Sequence, residues 1–374
     1  MAVDEGGDAD PKMAPPTPSR LRRRRNVPGV ERVTLLDVAR ESGLSTATVS
    51  RALNEPKSVT DKARVKVTET ITRLGYVPHG VARALALQHT RTVGAIIPTI
   101  ENSFFAKVIT AFQKRLTEQN YSLLLATTEY DFAAEFERVH TFIGKSVDGI
   151  MLIGEQRDPA IYDLLNQRKI PFINTFVYNA ASPHPSCGFD HAQTIGPSVE
   201  YLAGLGHTEL GMIIGDISIN DRAASRLKVA RLTAKRLKMS FREENIVISG
   251  YSVSEARSIA KQILRRDNRP TAIVCGNDLL AMGTLFAAQD LGLDVPGELS
   301  IFGHGNFDFA SELSPPLSTV RLPEYEIGQT AADYLVARMA GNVVPDHIRL
   351  ASHLEIRGTT APPPDQIRHL WSED

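Results

Sequence analysis

The chain reads as a small all-α unit carrying a helix-turn-helix, followed by a larger α/β body of two lobes. Three observations predict this. Two short helical patterns, broken by a glycine-containing turn, occupy residues 34–53. From Thr92 onward, short apolar strands alternate with amphipathic helices over about 260 residues, more than one doubly wound unit accommodates. Charge is also segregated. Residues 20–91 hold 15 lysines and arginines against 6 acidic residues, a balance of +9, in a chain of 374 residues and net charge −1, so the remainder carries −10. A compact basic end on an acidic body points to a polyanionic partner, although charge alone fits a solvated face equally well.

Composition narrows the class. An apolar share of 42% supports real cores, and the length suggests two or three domains. No run of about 18 apolar residues is present, so no membrane partner is expected. The first 30 residues are acidic, then Pro-rich, then Arg-rich, without the apolar stretch of a secretory leader, and the expected location is cytoplasmic. Cys187 and Cys275 stand 88 positions apart, outside any CxxC or metal spacing, and read as buried reduced thiols. The phosphate-cradling, dinucleotide, nucleophile-elbow and zinc-helix motifs are all missing, and no histidines pair at metal-ligand spacing. Neither metal nor cofactor is expected, and an enzyme is disfavoured.

Residues 1–31 read as a tail too poor in apolar side chains to fold, with Arg22–Arg25 serving either phosphate attraction or solubility. Residues 32–77 read as the helical unit. Thr34 caps a short helix with Leu35, Val38 and Ala39 on one side, and Gly43 supplies the turn. Ser45 caps a second helix in which Ala47, Val49, Ala52 and Leu53 alternate with Thr46, Thr48, Ser50 and Arg51. Its small polar face suits close approach to a major-groove floor. A third helix from Thr60 has Ala63, Val67, Thr70, Ile71 and Leu74 as its buried stripe. The segment after Pro78 repeats apolar residues at helical spacing (Val81, Ala82, Leu85, Ala86) but is too short to stand alone.

In the body, strands are expected at TVGAIIP, YSLLLAT, VDGIMLI, IPFINT, LGMII, TAIVC and LSIFG. Helices are expected at 104–119, 133–143, 160–167, from after Asp190 to 205, and at 223–237, 254–265 and 278–291. Continuous apolar strands between helices predict parallel sheets covered on both faces, with a ligand cleft outside their carboxyl ends.

VTLLDVARESGLSTATVSRALN and GYVPHGVARALA resemble the headpiece and hinge of the lactose repressor family, almost continuously over residues 33–87. NSFFAKV, VDGIMLIG, LAGLGHTELGMIIGD, CGNDLLAMGTLFAAQDLGLDVPGELSIFG and PPLSTVRLP extend the likeness over 90–358. The resemblance implies a DNA-binding repressor of cytoplasmic homodimers, a periplasmic-binding-protein-like body at 91–360, a hinge at 78–90 and a C-terminal tail at 361–374. It places Thr46, Ala47 and Arg51 at base-reading positions, with Thr48 and Ser50 facing phosphates. Thr34, Leu35, Ser45, Asn54, His79 and Ala82 complete the DNA-binding set, and Leu85 falls on the minor-groove wedge. His79 replaces the usual asparagine. In the body it implies effector contacts from Phe105, Arg226, Asn277 and Asp278, together with Asp190, Arg222 and Asn306. Phe105 equally suits a core, Arg226 and Arg222 a solvent-facing helix surface, and Asp278 a helix cap.

Members that bind neutral pyranoses commonly carry an aspartate where this chain has Gly305. Losing a carboxylate while keeping Arg226, with Arg222 a turn earlier, favours an anionic ligand. Phe189-Asp190 and DRAASR also resemble the gluconate-repressor branch, so a sugar acid such as gluconate is the expected effector. Two headpieces in a dimer would read a pseudo-palindromic operator in double-stranded DNA. The rival readings are a solute-binding protein of a transporter, which has no use for residues 33–87, and a sugar-processing enzyme.

Leu85→Ala is expected to lose affinity mainly for the correct operator, and Arg51→Ala to relax base choice near one position. Competition binding of operator against random duplex checks both; wild-type discrimination in both variants would remove the assigned roles.

Overall fold

The computed structural model describes residues 33–77 and 89–364, which fall into two compact units, one before and one after the junction at residues 82 and 83.

Among the described residues the first unit has three α-helices, α1 (Leu35–Ser42), α2 (Thr46–Asn54) and α3 (Asp61–Leu74). Each start carries a hydroxyl cap. Thr34 forms a capping box, accepting from the Asp37 amide while the Asp37 carboxylate accepts from the Thr34 amide at 2.9 Å. Ser45 accepts from Thr48 and Thr60 from Ala63. Such caps satisfy N–H groups that have no partner inside the helix, each contributing about 1 kcal/mol. Gly43 ends α1 at φ 63°, a left-handed turn that glycine adopts without Cβ strain. Val38, Ala39, Val49, Ala52, Val67 and Tyr76 form the core. Of the expected α3 stripe, Val67 and Thr70 are fully buried, whereas Ala63, Ile71 and Leu74 are only half-buried, as a 45-residue unit leaves little interior.

The second unit contains two wholly parallel sheets. The first has strand order β11-β5-β4-β3-β1-β2, built from β1 (Thr92–Ile97), β2 (Ser122–Thr127), β3 (Gly149–Ile153), β4 (Phe172–Thr175), β5 (Ser186–Gly188) and β11 (His347–Arg349). The second is β7-β6-β8-β9, from β6 (Leu210–Ile214), β7 (Ile246–Ile248), β8 (Ala272–Cys275) and β9 (Ser300–Phe302). A short antiparallel pair, β10 (Thr319–Arg321) and β12 (His353–Glu355), completes the unit.

The helices are α4 (Ser103–Glu118), α5 (Phe132–Gly144), α6 (Pro159–Gln167), α7 (Ile195–Gly204), α8 (Asp221–Arg236), α9 (Val253–Leu264), α10 (Asp278–Asp290) and α11 (Glu324–Met339). β3 and β6 are buried at every position, as covered parallel strands require. Each lobe has its own core, one around Ile150, Leu152 and Ile161, the other around Ile273, Leu280 and Ile301. A third cluster, including Phe104, Phe112 and Phe302, runs through both.

Phe112 on α4 is wholly buried in that shared cluster. Phe112→Ala should destabilise the second unit by about 3–5 kcal/mol in denaturant unfolding. A loss below about 1 kcal/mol would place Phe112 outside the cooperative core.

Candidate functional site

On the helical unit, Thr46, Ala47 and Arg51 project from α2 and are exposed, as are Ser45 and Thr34. Thr48, Ser50, Asn54 and Leu35 are half-buried. The hydroxyls of Ser45 and Thr48 lie 2.8 Å apart, and Asn54 Nδ2 donates to Ser50 Oγ at 3.4 Å, so the polar face is internally ordered. Arg40, Arg64 and Arg73 pair with carboxylates, whereas Arg51 makes no ion pair among the described residues. A guanidinium so placed is free to donate two parallel N–H groups outward. His79, Ala82 and Leu85 lie outside the described residues.

In the second unit, the loops following the parallel strands converge on a cleft holding ≈ 480 Å³ not filled by atoms, its open mouth included. Open α/β sheets place ligands at this end. From the first lobe come Asn102, Phe104 and Phe105 at the start of α4, Tyr130 after β2, and Phe176 after β4, while Phe189 follows β5. The second lobe contributes Asn220, Arg222 and Arg226 at α8, Tyr251 after β7, Asn277 at α10, and His304, Gly305 and Phe307 after β9.

The walls are aromatic. The Phe176 ring lies 5.2 Å from Phe104 and 5.3 Å from Phe105, and Phe104 stacks on Phe307 across the cleft at 5.9 Å. Tyr130 stacks on Tyr251 at 5.9 Å, and both rings also line an outer groove. Glu129 and Tyr130 both hold left-handed backbone, φ 54° and 65°, a strained geometry for side chains of this kind that presents the Tyr130 ring to the cleft.

The polar groups are mostly donors. Asn102, Asn220 and Asn277 each cap the helix that follows, their Oδ1 atoms accepting from the amides of Phe104, Arg222 and Leu280. Their carbonyl oxygens are thereby used and their amide NH2 groups remain. Asn220 Nδ2 donates to the Tyr251 hydroxyl at 2.8 Å, leaving that hydroxyl its own proton to donate. Arg226 is 7% exposed and its Nε has no partner; it forms no ion pair among the described residues. Burial holds its pKa below the usual arginine value, with the Arg222 charge adding to the effect.

Arg222 differs. Its Nη1 donates to Asp221 Oδ1 at 2.9 Å, and the other Asp221 oxygen accepts the backbone N–H groups of Glu155 (2.6 Å) and Gln156 (3.0 Å). Burial pushes the Asp221 carboxyl up, but Arg222 and those two amides together hold it below the ordinary range. Gly154 lets this arrangement close: at φ 73°, a Cβ there would come within 2.0 Å of Arg222 Nη1. Arg222 is therefore buried rather than solvent-facing, and already carries a counter-charge.

Four of the seven expected effector residues, Phe105, Arg222, Arg226 and Asn277, line the cleft. Three do not. Asp278 is fully buried behind the wall, where it accepts from Thr319 Oγ1 at 2.6 Å and the Phe307 amide at 2.7 Å. Its carboxylate ties α10 to the 303–307 loop and β10, and the helix cap belongs to Asn277 instead. Asp190 caps the short turn His191–Gln193, accepting from the Ala192 amide at 2.8 Å. Asn306 holds φ 53° and accepts from Arg357 at 2.8 Å. In each case a local hydrogen bond turns the side chain to a structural task.

Sequence reasoning missed Phe104, Tyr130, Phe176, Tyr251 and His304 as cleft residues. Tyr130, Phe176, Tyr251 and His304 lie within three residues of a strand's carboxyl end and Phe104 in the first turn of the helix after β1, the positional signal that could have found them. Both cysteines are free and buried, and burial pushes each thiol up to about 12, so neither is a nucleophile. No cluster of metal-ligating side chains exists among the described residues.

Residues 34–79 match the family model for bacterial regulatory proteins of the lacI family, and residues 199–360 match a periplasmic binding protein-like domain. The chain is 32% identical over 329 residues to catabolite control protein A of Priestia megaterium, covering 88% of this chain and 99% of that protein. It is 30% identical over 308 residues to the HTH-type transcriptional repressor PurR of Vibrio cholerae, covering 82% and 91%. Among solved structures, the lac repressor dimer bound to operator and an anti-inducer superposes with a TM-score of 0.80 at 25% identity, over 88% of this chain and all of that one.

Burial raises the Asp278 carboxyl from 3.8 to about 6. A carboxyl raised on folding favours the folded state below about pH 4 and loses that contribution as pH climbs through about 6. Asp278→Asn, which can still accept from the loop amides, should flatten the fall in unfolding midpoint between about pH 4 and 6. Identical profiles for variant and wild type would show that this carboxyl does not titrate on folding.

Proposed function

The chain belongs to the lacI family of bacterial regulatory proteins and is a DNA-binding transcriptional repressor with a ligand-binding domain, not an enzyme; on that premise we propose that a sugar acid of the gluconate type is its effector. One observation carries the reading. The polar groups fixed on the cleft are chiefly hydrogen-bond donors, among them a buried guanidinium without an ion pair, while the neutral His304 ring can accept or donate, and among the described residues no carboxylate lines the cleft. A neutral sugar presents hydroxyl protons that need acceptors, and here the asparagine oxygens are committed to helix caps. A carboxylate bearing hydroxyls on an adjoining chain supplies acceptors and the missing negative charge together. The aromatic walls take its C–H faces.

The DNA side rests on α2. Thr46, Ala47 and Arg51 form an exposed, sterically low surface that fits a major groove, with Arg51 the candidate guanine reader and Thr48 and Ser50 near the phosphates. Ser45, Thr34, Leu35 and Asn54 support that contact, and His79, Ala82 and Leu85 are assigned to the hinge. Two copies in a cytoplasmic homodimer would address a pseudo-palindromic operator. Of the expected effector set, Phe105, Arg226 and Asn277 keep direct roles, Arg222 a paired one, while Asp190, Asp278 and Asn306 shape the loops around them.

Effector and operator are coupled reciprocally: whatever factor the acid changes operator affinity by, the operator changes acid affinity by the same factor. Calorimetric titration of the full chain with gluconate and related aldonates should give saturable heat, and neutral hexoses none. The saturating acid should also shift operator affinity in a fluorescence anisotropy assay. Heat from neutral hexoses alone would overturn the acid reading.

A further inference from the structure

At one end of the cleft, four buried nitrogens on three different elements have no hydrogen-bond partner. They are Arg226 Nε on α8, His304 Nε2 on the loop after β9, and both ring nitrogens of His191 in the turn after β5. His304 is 3% exposed and His191 6%. The Phe189 ring stands against both imidazoles, 5.2 Å from His191 and 6.2 Å from His304, edge-on in each case. His304, Phe189 and Arg226 also line the cleft itself. Folded proteins leave few buried polar groups unpaired, and a cluster of them marks a place prepared for something that pairs them.

We propose that Arg226 and His304 form an oxyanion subsite at this end of the cleft, where an anion's oxygens pair their orphaned nitrogens and a proton is taken up from solvent by His304 or by the neighbouring His191, which stands against Phe189 outside the cleft lining. The inference rests on the acidic-effector reading above and names where the acid group goes. An oxyanion is the fitting class because Arg226 has no counter-charge, and because carboxylate or phosphate oxygens accept from an arginine and an imidazolium at once.

The proton follows from the surrounding charges. Without the anion, both imidazoles are held neutral, by burial first and then by the Arg226 charge, with His191 also acting on His304 and Arg222 on His191. The remaining groups do not reverse this. Asp221 is committed to Arg222, and Asp278 accepts from backbone at the 303–307 loop. Tyr130 and Tyr251 are phenols near Arg226, and Arg357 is held by Asn306. An arriving anion cancels the Arg226 charge and offers an acceptor, so one imidazole nitrogen takes a proton from the buffer acid, which is left as its conjugate base, and no other covalent bond is made or broken. Anion affinity should then rise as pH falls from 8 to 6, by up to about tenfold per pH unit for each proton taken up.

The test is calorimetry on the full chain, with gluconate and, separately, inorganic phosphate as probes, in buffers of different ionisation enthalpy at pH 6 and 8. Proton uptake with either probe, diminished in His304→Gln or His191→Gln variants that keep the wild-type circular dichroism, supports the subsite. Uptake with phosphate alone supports the subsite and overturns the sugar-acid reading only where it is diminished in those variants, because phosphate itself titrates in this pH range. Binding of gluconate without uptake, or uptake unchanged in both variants, overturns the subsite and leaves the acidic effector standing. Absence of heat from both probes at millimolar concentration overturns both.

Discussion

A guanidinium largely buried by folding, with its Nε unpaired and no counter-charge among the described residues, is the constraint on which the ligand-binding half of this protein turns. Buried charges are ordinarily paired, because an isolated ion in a low-dielectric interior costs several kcal/mol even after relaxation. Arg226 breaks that rule while its neighbour one helical turn earlier obeys it. Arg222 is neutralised by Asp221, and the same carboxylate pins the loop after β3 to the start of α8. The two arginines therefore divide the labour, one closing the cleft and the other left for whatever enters it.

The surrounding architecture serves that division. Parallel strands deliver their loops to one side, and three asparagines fix the first turns of α4, α8 and α10 there. Capping also uses up the acceptors those side chains would otherwise show a ligand, so one set of bonds both orders the helices and sets the polarity of the cleft. Asp278 does comparable work from behind. By holding the Phe307 amide and the Thr319 hydroxyl it keeps the 303–307 loop, with His304 and Phe307, in place. Its raised proton affinity reflects the cost of burying a carboxyl for that purpose.

Much of this was legible in the sequence. The hydroxyl caps at Thr34 and Ser45 and the turn at Gly43 announce the helix-turn-helix, because each is a local signal read from a few adjacent residues. The long strands and helices of the body were readable for the same reason. Of the three-residue strands, β9 was readable because it sits in the apolar run LSIFG, whereas β5, β7 and β10–β12 were not, since so short a run has no measurable period of its own. Helix α11 was missed because glycine and alanine fill half of its buried face, Gly328, Ala331 and Ala332 beside Ile327, Tyr334 and Leu335, so the stripe carries little apolar contrast. At the site, a residue's type and position could suggest Phe105, Arg226 and Asn277. They could not show that Asp278, Asp190 and Asn306 had already been claimed by nearby amides, hydroxyls and Arg357, nor that Asp221 neutralises Arg222. Those are facts about partners brought together by the fold.

The most direct measurement is the unfolding midpoint of Arg226→Met, with and without a saturating aldonate. Methionine fills a similar volume without charge, and replacing an uncompensated buried ion with an apolar side chain removes its desolvation cost. The ligand-free variant should have a Tm at or above that of wild type and show no further rise when the acid is added, while the wild type rises. A variant markedly less stable than wild type without ligand would contradict this, because the guanidinium would then be contributing to the fold rather than waiting for a partner.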